Sequence, residues 1–124
     1  MRLKAVILKL NQPDEDGEVI TREAMEKALK KFKAPKDIGY EFNPEVPWVG
    51  FAREFSIDDE NNLIADIEIQ KNERFGETLS VAPSYHVLES EDDGEGHRII
   101  NKLTLISISL VKNPKDDSVT KFNL

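Results

Sequence analysis

The chain contains no cysteine and only two histidines, His86 and His97, in 124 residues. Without thiols there is no disulfide framework, no cysteine nucleophile and no thiolate-bound zinc, and two imidazoles are too few for a histidine-rich metal centre. Basic residues are scarce beside acidic ones, 17 against 24, which gives a net charge of −7. Nucleic-acid backbones and anionic membranes both reward clustered Lys and Arg, so neither is expected as the partner. Long apolar runs are missing too. The opening MRLKAVILKLNQPD holds one apolar run, Ala5 to Leu8, too short for a signal-peptide core, and nowhere do about 18 apolar residues follow one another. The expectation is a soluble cytoplasmic protein that uses no cofactor and no metal.

The length predicts one domain, since domains run to about 100–150 residues. Leu3, Ala5 to Leu8 and Leu10 read as a strand that stops at Asn11-Gln12-Pro13, before an acidic loop ending at Gly17. Thr21 is a suitable N-cap, and Met25, Ala28, Leu29 and Phe32 recur at helical spacing, predicting the main helix over 22–33. Residues 34–47, with three prolines and no period, read as a long connection whose Tyr40 and Phe42, with Trp48 just beyond, pack on the core. Phe51, Phe55 and Ile57 share one parity, as do Leu63, Ala65, Ile67 and Ile69, with turn residues 58–62 between them: a hairpin with one buried face. Residues 71–78 read as a short helix or loop, and two further strands are expected at 79–89 and 98–112, joined by the acidic loop 91–96. In the last strand the apolar parity shifts between Leu105 and Ile106, which predicts a bulge. The fold class is therefore α+β: a small curled antiparallel sheet or barrel of about six strands with one helix.

Two groups of residues could carry chemistry. Ser80, Ser84 and His86 lie on one side of the strand at 79–89, because side chains alternate, with Ser84 and His86 about 6.5–7 Å apart along it. A neighbouring strand bearing Ser107 and Ser109 could complete a nucleophilic set, since a serine needs a base within hydrogen-bond reach. Solvent-facing Ser and His on a strand are also common without any such role. Separately, Gln12 to Glu23 partly matches the calcium-loop pattern, with Asp14, Asp16, Gly17 and Glu23 in place, although Gln12 holds the first ligand position and a β-like segment precedes it.

The order of segments resembles the prohead (head-maturation) serine protease family of tailed bacteriophages, whose fold is related to the herpesvirus assemblin proteases. The resemblance spans about residues 3–114. ILKLNQPDEDGEVITREAMEKAL is similar to the family's strand, "D-x-x-G" loop and helix. PEVPWVGFAREFSIDDENNLIADIEI resembles its "piG" turn and hairpin, with Trp48-Val49-Gly50 as the turn. ETLSVAPSYHV resembles the nucleophile strand, and KLTLISISLVKNP the "E-[IV]-S-[LI]-V-x-x-P" strand, in which Ser109 and Pro114 match.

That resemblance implies a prohead-protease-like domain over 1–113 and a polar C-terminal tail over 114–124. It makes Ser80 the counterpart of the nucleophile, while aligning from Tyr85-His86-Val87 puts Ala82 there. The catalytic histidine's position is taken by Asn43, which cannot accept a proton from serine at neutral pH, and the acidic position by Ser107. Two functions follow. In one, the chain is a structural module in phage head morphogenesis that binds major capsid or scaffold protein, has little or no hydrolytic activity, and can self-associate. In the other, it is an active endopeptidase of scaffold and capsid protein with His86 or His97 as base. Either implies residence in the host cytoplasm, in the procapsid or virion.

Overall fold

The computed structural model of the chain describes residues 1–70, 78–112 and 118–123. Among these, the chain order is β1 (Arg2–Lys9), β2 (Glu18–Ile20), α1 (Arg22–Leu29), β3 (Lys36–Tyr40), β4 (Gly50–Ile57), β5 (Asn62–Ile69), β6 (Thr78–Asp92), β7 (Arg98–Val111) and β8 (Phe122–Asn123). Hydrogen bonding arranges the strands as β1-β5-β4-β3-β7-β6-β8, with β2 added along β7. The result is a curled half-barrel, mostly sheet with one short helix, which is the α+β class expected. The strand count is corrected from about six to eight. β2 and β8 have three and two residues, too few for an alternation to show, and β3 was hidden in the proline-bearing connection. The sheet is also not purely antiparallel, because β2 and β3 both run parallel to β7.

The hairpin of β4 and β5 forms as expected at Phe55, opposite Ala65, and Ile57, opposite Leu63, but a register slip at Arg53 puts Ala52, opposite Ile67, on the buried face and Phe51, opposite Glu68, on the other. Helix α1 begins where Thr21 caps it, the hydroxyl accepting the amide of Ala24 at 3.1 Å, and buries Ala24, Met25 and Ala28. It ends at Leu29 rather than at 33, because residues 30–32 turn and Pro35 disfavours helical backbone at Ala34. Phe32 then folds inward against Phe55, ring centroids 5.5 Å apart. At the opposite end of the helix, Arg22 reaches the tip of the β4–β5 hairpin, donating to the carbonyl of Asp58 at 2.6 Å and to Asn61 at 3.1 Å.

The predicted bulge lies in β7. Ser84 faces Ser107 and Tyr85 faces Leu105, leaving Ile106 without a partner in the ladder. A second slip leaves out Leu88 on β6. Ile106 and Leu88 are both large apolar residues exposed to solvent, and a bulged residue is one whose side chain no longer follows the pleat. Together the slips bend the long β6–β7 ribbon around a core of Ile7, Met25, Ile38, Leu63, Ile67, Ile100 and Leu110.

Residues 118–123 pack on the sheet rather than hanging as a tail. Val119 is buried, Thr120 exchanges backbone and hydroxyl hydrogen bonds with Val6 of β1 at 2.9 and 2.8 Å, and β8 pairs with the start of β6. Residues 71–77 of the short helix or loop expected at 71–78, and Pro114, lie outside the described residues. Among the described residues, no helix is long and apolar enough to cross a membrane.

Candidate functional site

The corner that follows β3 is built by backbone hydrogen bonding. Glu41 and Phe42 both adopt positive φ, 49° and 52°, a region that side chains disfavour. They are held there by β7: the Glu41 amide donates to the carbonyl of Leu110 at 2.8 Å, and the Phe42 amide to the Ser109 hydroxyl at 2.9 Å. Ser109 is buried, so its role is to anchor this corner. Beyond it, Asn43 closes a turn, its side-chain oxygen accepting the amide of Glu45 at 3.0 Å. The chain returns to the sheet at Gly50, where an added Cβ would stand 2.2 Å from the carbonyl oxygen of Glu68. Only glycine allows β4 to approach β5 so closely.

A groove of about 400 Å³ lies between this corner, β3, β6 and β7. Its polar lining is Asn43, Ser84, Ser107, Ser109 and Asp37, and Phe42 and Trp48 stand at its edge. The Ser84 and Ser107 hydroxyl oxygens are 2.7 Å apart. Trp48 is 69% exposed and Phe42 43% exposed. Of the three aromatics expected on the core, only Tyr40 is buried there, because Val49 takes the inward position before Gly50.

Four of the residues singled out from sequence are thus brought together: Asn43, Ser84, Ser107 and Ser109. The others lie elsewhere. Ser80 is 1% exposed, opposite Val111, and its hydroxyl has no hydrogen-bond partner among the described residues. His86 is exposed and paired across the ladder with Thr104. Ser80 and His86 are six residues apart on β6, about 20 Å along the strand. His97 sits at the tip of the β6–β7 ribbon, its Nδ1 2.8 Å from Asp93. Asp93 also accepts the amides of Glu95 and His97, and those bonds, the Glu95 amide foremost, hold its carboxyl below the usual carboxylate range. Neither histidine is among the residues lining the groove.

In the acidic loop, the carboxylates of Asp14, Asp16 and Glu18 come within 4.8 Å of one another. Glu23 is apart from them, in the first turn of α1. Asp14 accepts the amides of Asp16 and Glu18 at 2.9 and 3.0 Å, so one of its oxygens already shapes the turn. Glu18 accepts the Tyr85 phenol at 3.2 Å and Arg98 at 3.1 Å. Nothing in the spacing from Gln12 to Glu23 marks Glu18, whose meeting with Tyr85 and Arg98 is a product of the curled sheet.

No family model, no curated protein and no solved structure matches the chain.

Proposed function

We propose that the chain is a phage head-morphogenesis protein that keeps a prohead-protease-like sheet without its hydrolytic chemistry and binds major capsid or scaffold protein as a structural module. The carrying observation is the groove itself. At the place where the resembled family has a histidine and an acidic residue, Asn43 and Ser107 line one groove with Ser84, and no imidazole lines it among the described residues. A serine hydroxyl is a weak nucleophile without a base to take its proton. Ser80, the counterpart of the nucleophile by sequence, is enclosed where a peptide carbonyl has no approach. The same groove is well suited to contact. Exposed Trp48 and Phe42 flank a row of hydroxyls, and aromatic anchors beside hydrogen-bonding groups are typical of protein recognition.

The test combines intact mass spectrometry with fluorescence, using the capsid and scaffold proteins of the same phage. Trp48 is the chain's single tryptophan, so its emission reports this edge directly. The expected result is unchanged masses, a blue shift of Trp48 emission on mixing with capsid or scaffold protein, and co-elution that Trp48→Ala weakens. New fragments that vanish in Ser80→Ala or Ser84→Ala would establish an endopeptidase instead.

A further inference from the structure

A second cavity, of about 300 Å³, lies on the other side of the Glu41–Phe42 corner, among β1, β2, β6 and the end of β7. Its walls are apolar, with Ile7, Ile20, Pro83, Val111 and Val119 contributed by separate parts of the chain. Its mouth is acidic, with Asp14, Glu18 and Glu41, and the rings of Phe42 and Tyr85 line it as well. We propose that this cavity binds a small organic cation, a primary ammonium group carried on an apolar stem.

Three features specify that chemistry. The first is the charge balance among the described residues: the carboxylates of Asp14, Glu18 and Glu41, with that of Asp16 within 4.8 Å of Asp14 and Glu18, outnumber the cations Lys9, which lines the cavity, and Arg98, which pairs with Glu18. The excess of negative charge favours a cation over an anion. The second is preorganisation. Asp14 is fixed by two backbone amides, Glu18 by the Tyr85 phenol and Arg98, and Glu41 by the amide of Lys112 at 3.1 Å. Carboxylates held in place in this way need not be ordered when the ligand arrives. The third is the pairing of aromatic faces with carboxylates, since a ring attracts an ammonium group by its quadrupole while the apolar walls take the stem. Burial, with the nearby charges of Glu18 and Asp14, pushes the Tyr85 phenol well above its usual range, so it stays a neutral donor. A divalent metal fits less well, because it seeks six or more oxygens and several oxygens here are already engaged.

The same ammonium could come from a free amine or from a partner's lysine, and a cavity of about 300 Å³ with apolar walls favours a free amine on a bulky stem. The test is an amide-resolved NMR titration of the full chain with 4-phenylbutylamine, with 4-phenylbutyrate (the same stem with opposite charge), with N-acetyl-lysine amide and with calcium chloride. The expected result is saturable shifts from 4-phenylbutylamine at Tyr85, Phe42 and Val119, with a dissociation constant of about 1 mM or tighter. The butyrate should bind at least about tenfold more weakly, and calcium should leave these signals in place. Glu41→Gln should weaken the amine about fivefold, the size of one partly screened charge interaction. Gln12→Lys, at an exposed position of the mouth, should abolish amine binding while leaving the spectrum of a folded protein. Equal binding of amine and butyrate, no amine binding by the folded chain, or displacement of the signals by calcium would each overturn the proposal. Tighter binding of N-acetyl-lysine amide than of the free amine would assign the cavity to a partner's side chain and overturn it too.

Discussion

The hydroxyl of Ser84 meets that of Ser107 at 2.7 Å, across a register slip that leaves Ile106 out of the ladder. Each hydroxyl is thus engaged by the other, at the distance a protease would give its base. The pair is therefore expected to behave as a structural contact. In a double-mutant cycle, Ser84→Ala and Ser107→Ala should each cost about 0.5–1 kcal/mol, and the double variant less than their sum. Urea denaturation of the four proteins measures this, and strict additivity would show that the contact contributes nothing.

Ser80 should respond in the opposite sense. A buried hydroxyl without a partner costs stability, and Ser80 has none among the described residues, so Ser80→Ala is expected to stabilise the chain by about 1 kcal/mol. A fluorophosphonate reagent, which phosphonylates activated serines with loss of fluoride, should leave the wild-type mass unchanged. Asn43→His should not restore labelling, because Ser80 remains enclosed.

Gly50→Ala is expected to be severely destabilising, about 3 kcal/mol or more, because the new methyl group would overlap backbone rather than a movable side chain. Thermal unfolding decides this. A melting temperature within a few degrees of wild type would mean that β4 and β5 can separate at no great cost.

Acid should unfold the chain through its hairpin carboxylates. The Asn62 backbone amide lowers Asp58, the Arg2 guanidinium lowers Asp66, and the Glu95 amide lowers Asp93, each below the ordinary carboxylate range. A group whose folded value is depressed stabilises the fold above its unfolded value near pH 4 and loses that contribution as the pH falls further. The melting temperature should thus be flat from about pH 8 to pH 5 and fall steeply below pH 4. Asp58→Asn should lower it at neutral pH and make the acid limb shallower.

Much of the fold was legible because periodicity survives wherever one face is buried. The β4–β5 hairpin, the long strands β6 and β7, the cap at Thr21 and the bulge at Ile106 all left patterns in the side chains. β3 left none. Its Gly39 and the adjacent Pro35 suggest a loop, and its place between β4 and β7 rests on pairing with distant residues, Ile38 with Ile108 and Tyr40 with Leu110. The groove was half legible. Alternation put Ser84 on one face of β6, and Ser107 with Ser109 on one face of β7, but their register was set by the slip. Alternation also linked Ser84 to His86, a link the structure keeps only as a shared strand. The cation cavity was not legible at all, since Glu18, Glu41 and Tyr85 come from three segments with no common spacing.

Thr120 lies 114 positions after Val6, and that separation has a consequence for biosynthesis. During translation β1 emerges well before Thr120, so the edge of β1 that Thr120 covers stays open until that residue has left the ribosome. Long-range pairing of this kind is slow to form and leaves strand edges exposed in the meantime. A nascent copy is therefore most able to join another nascent copy, edge to edge, before Thr120 appears.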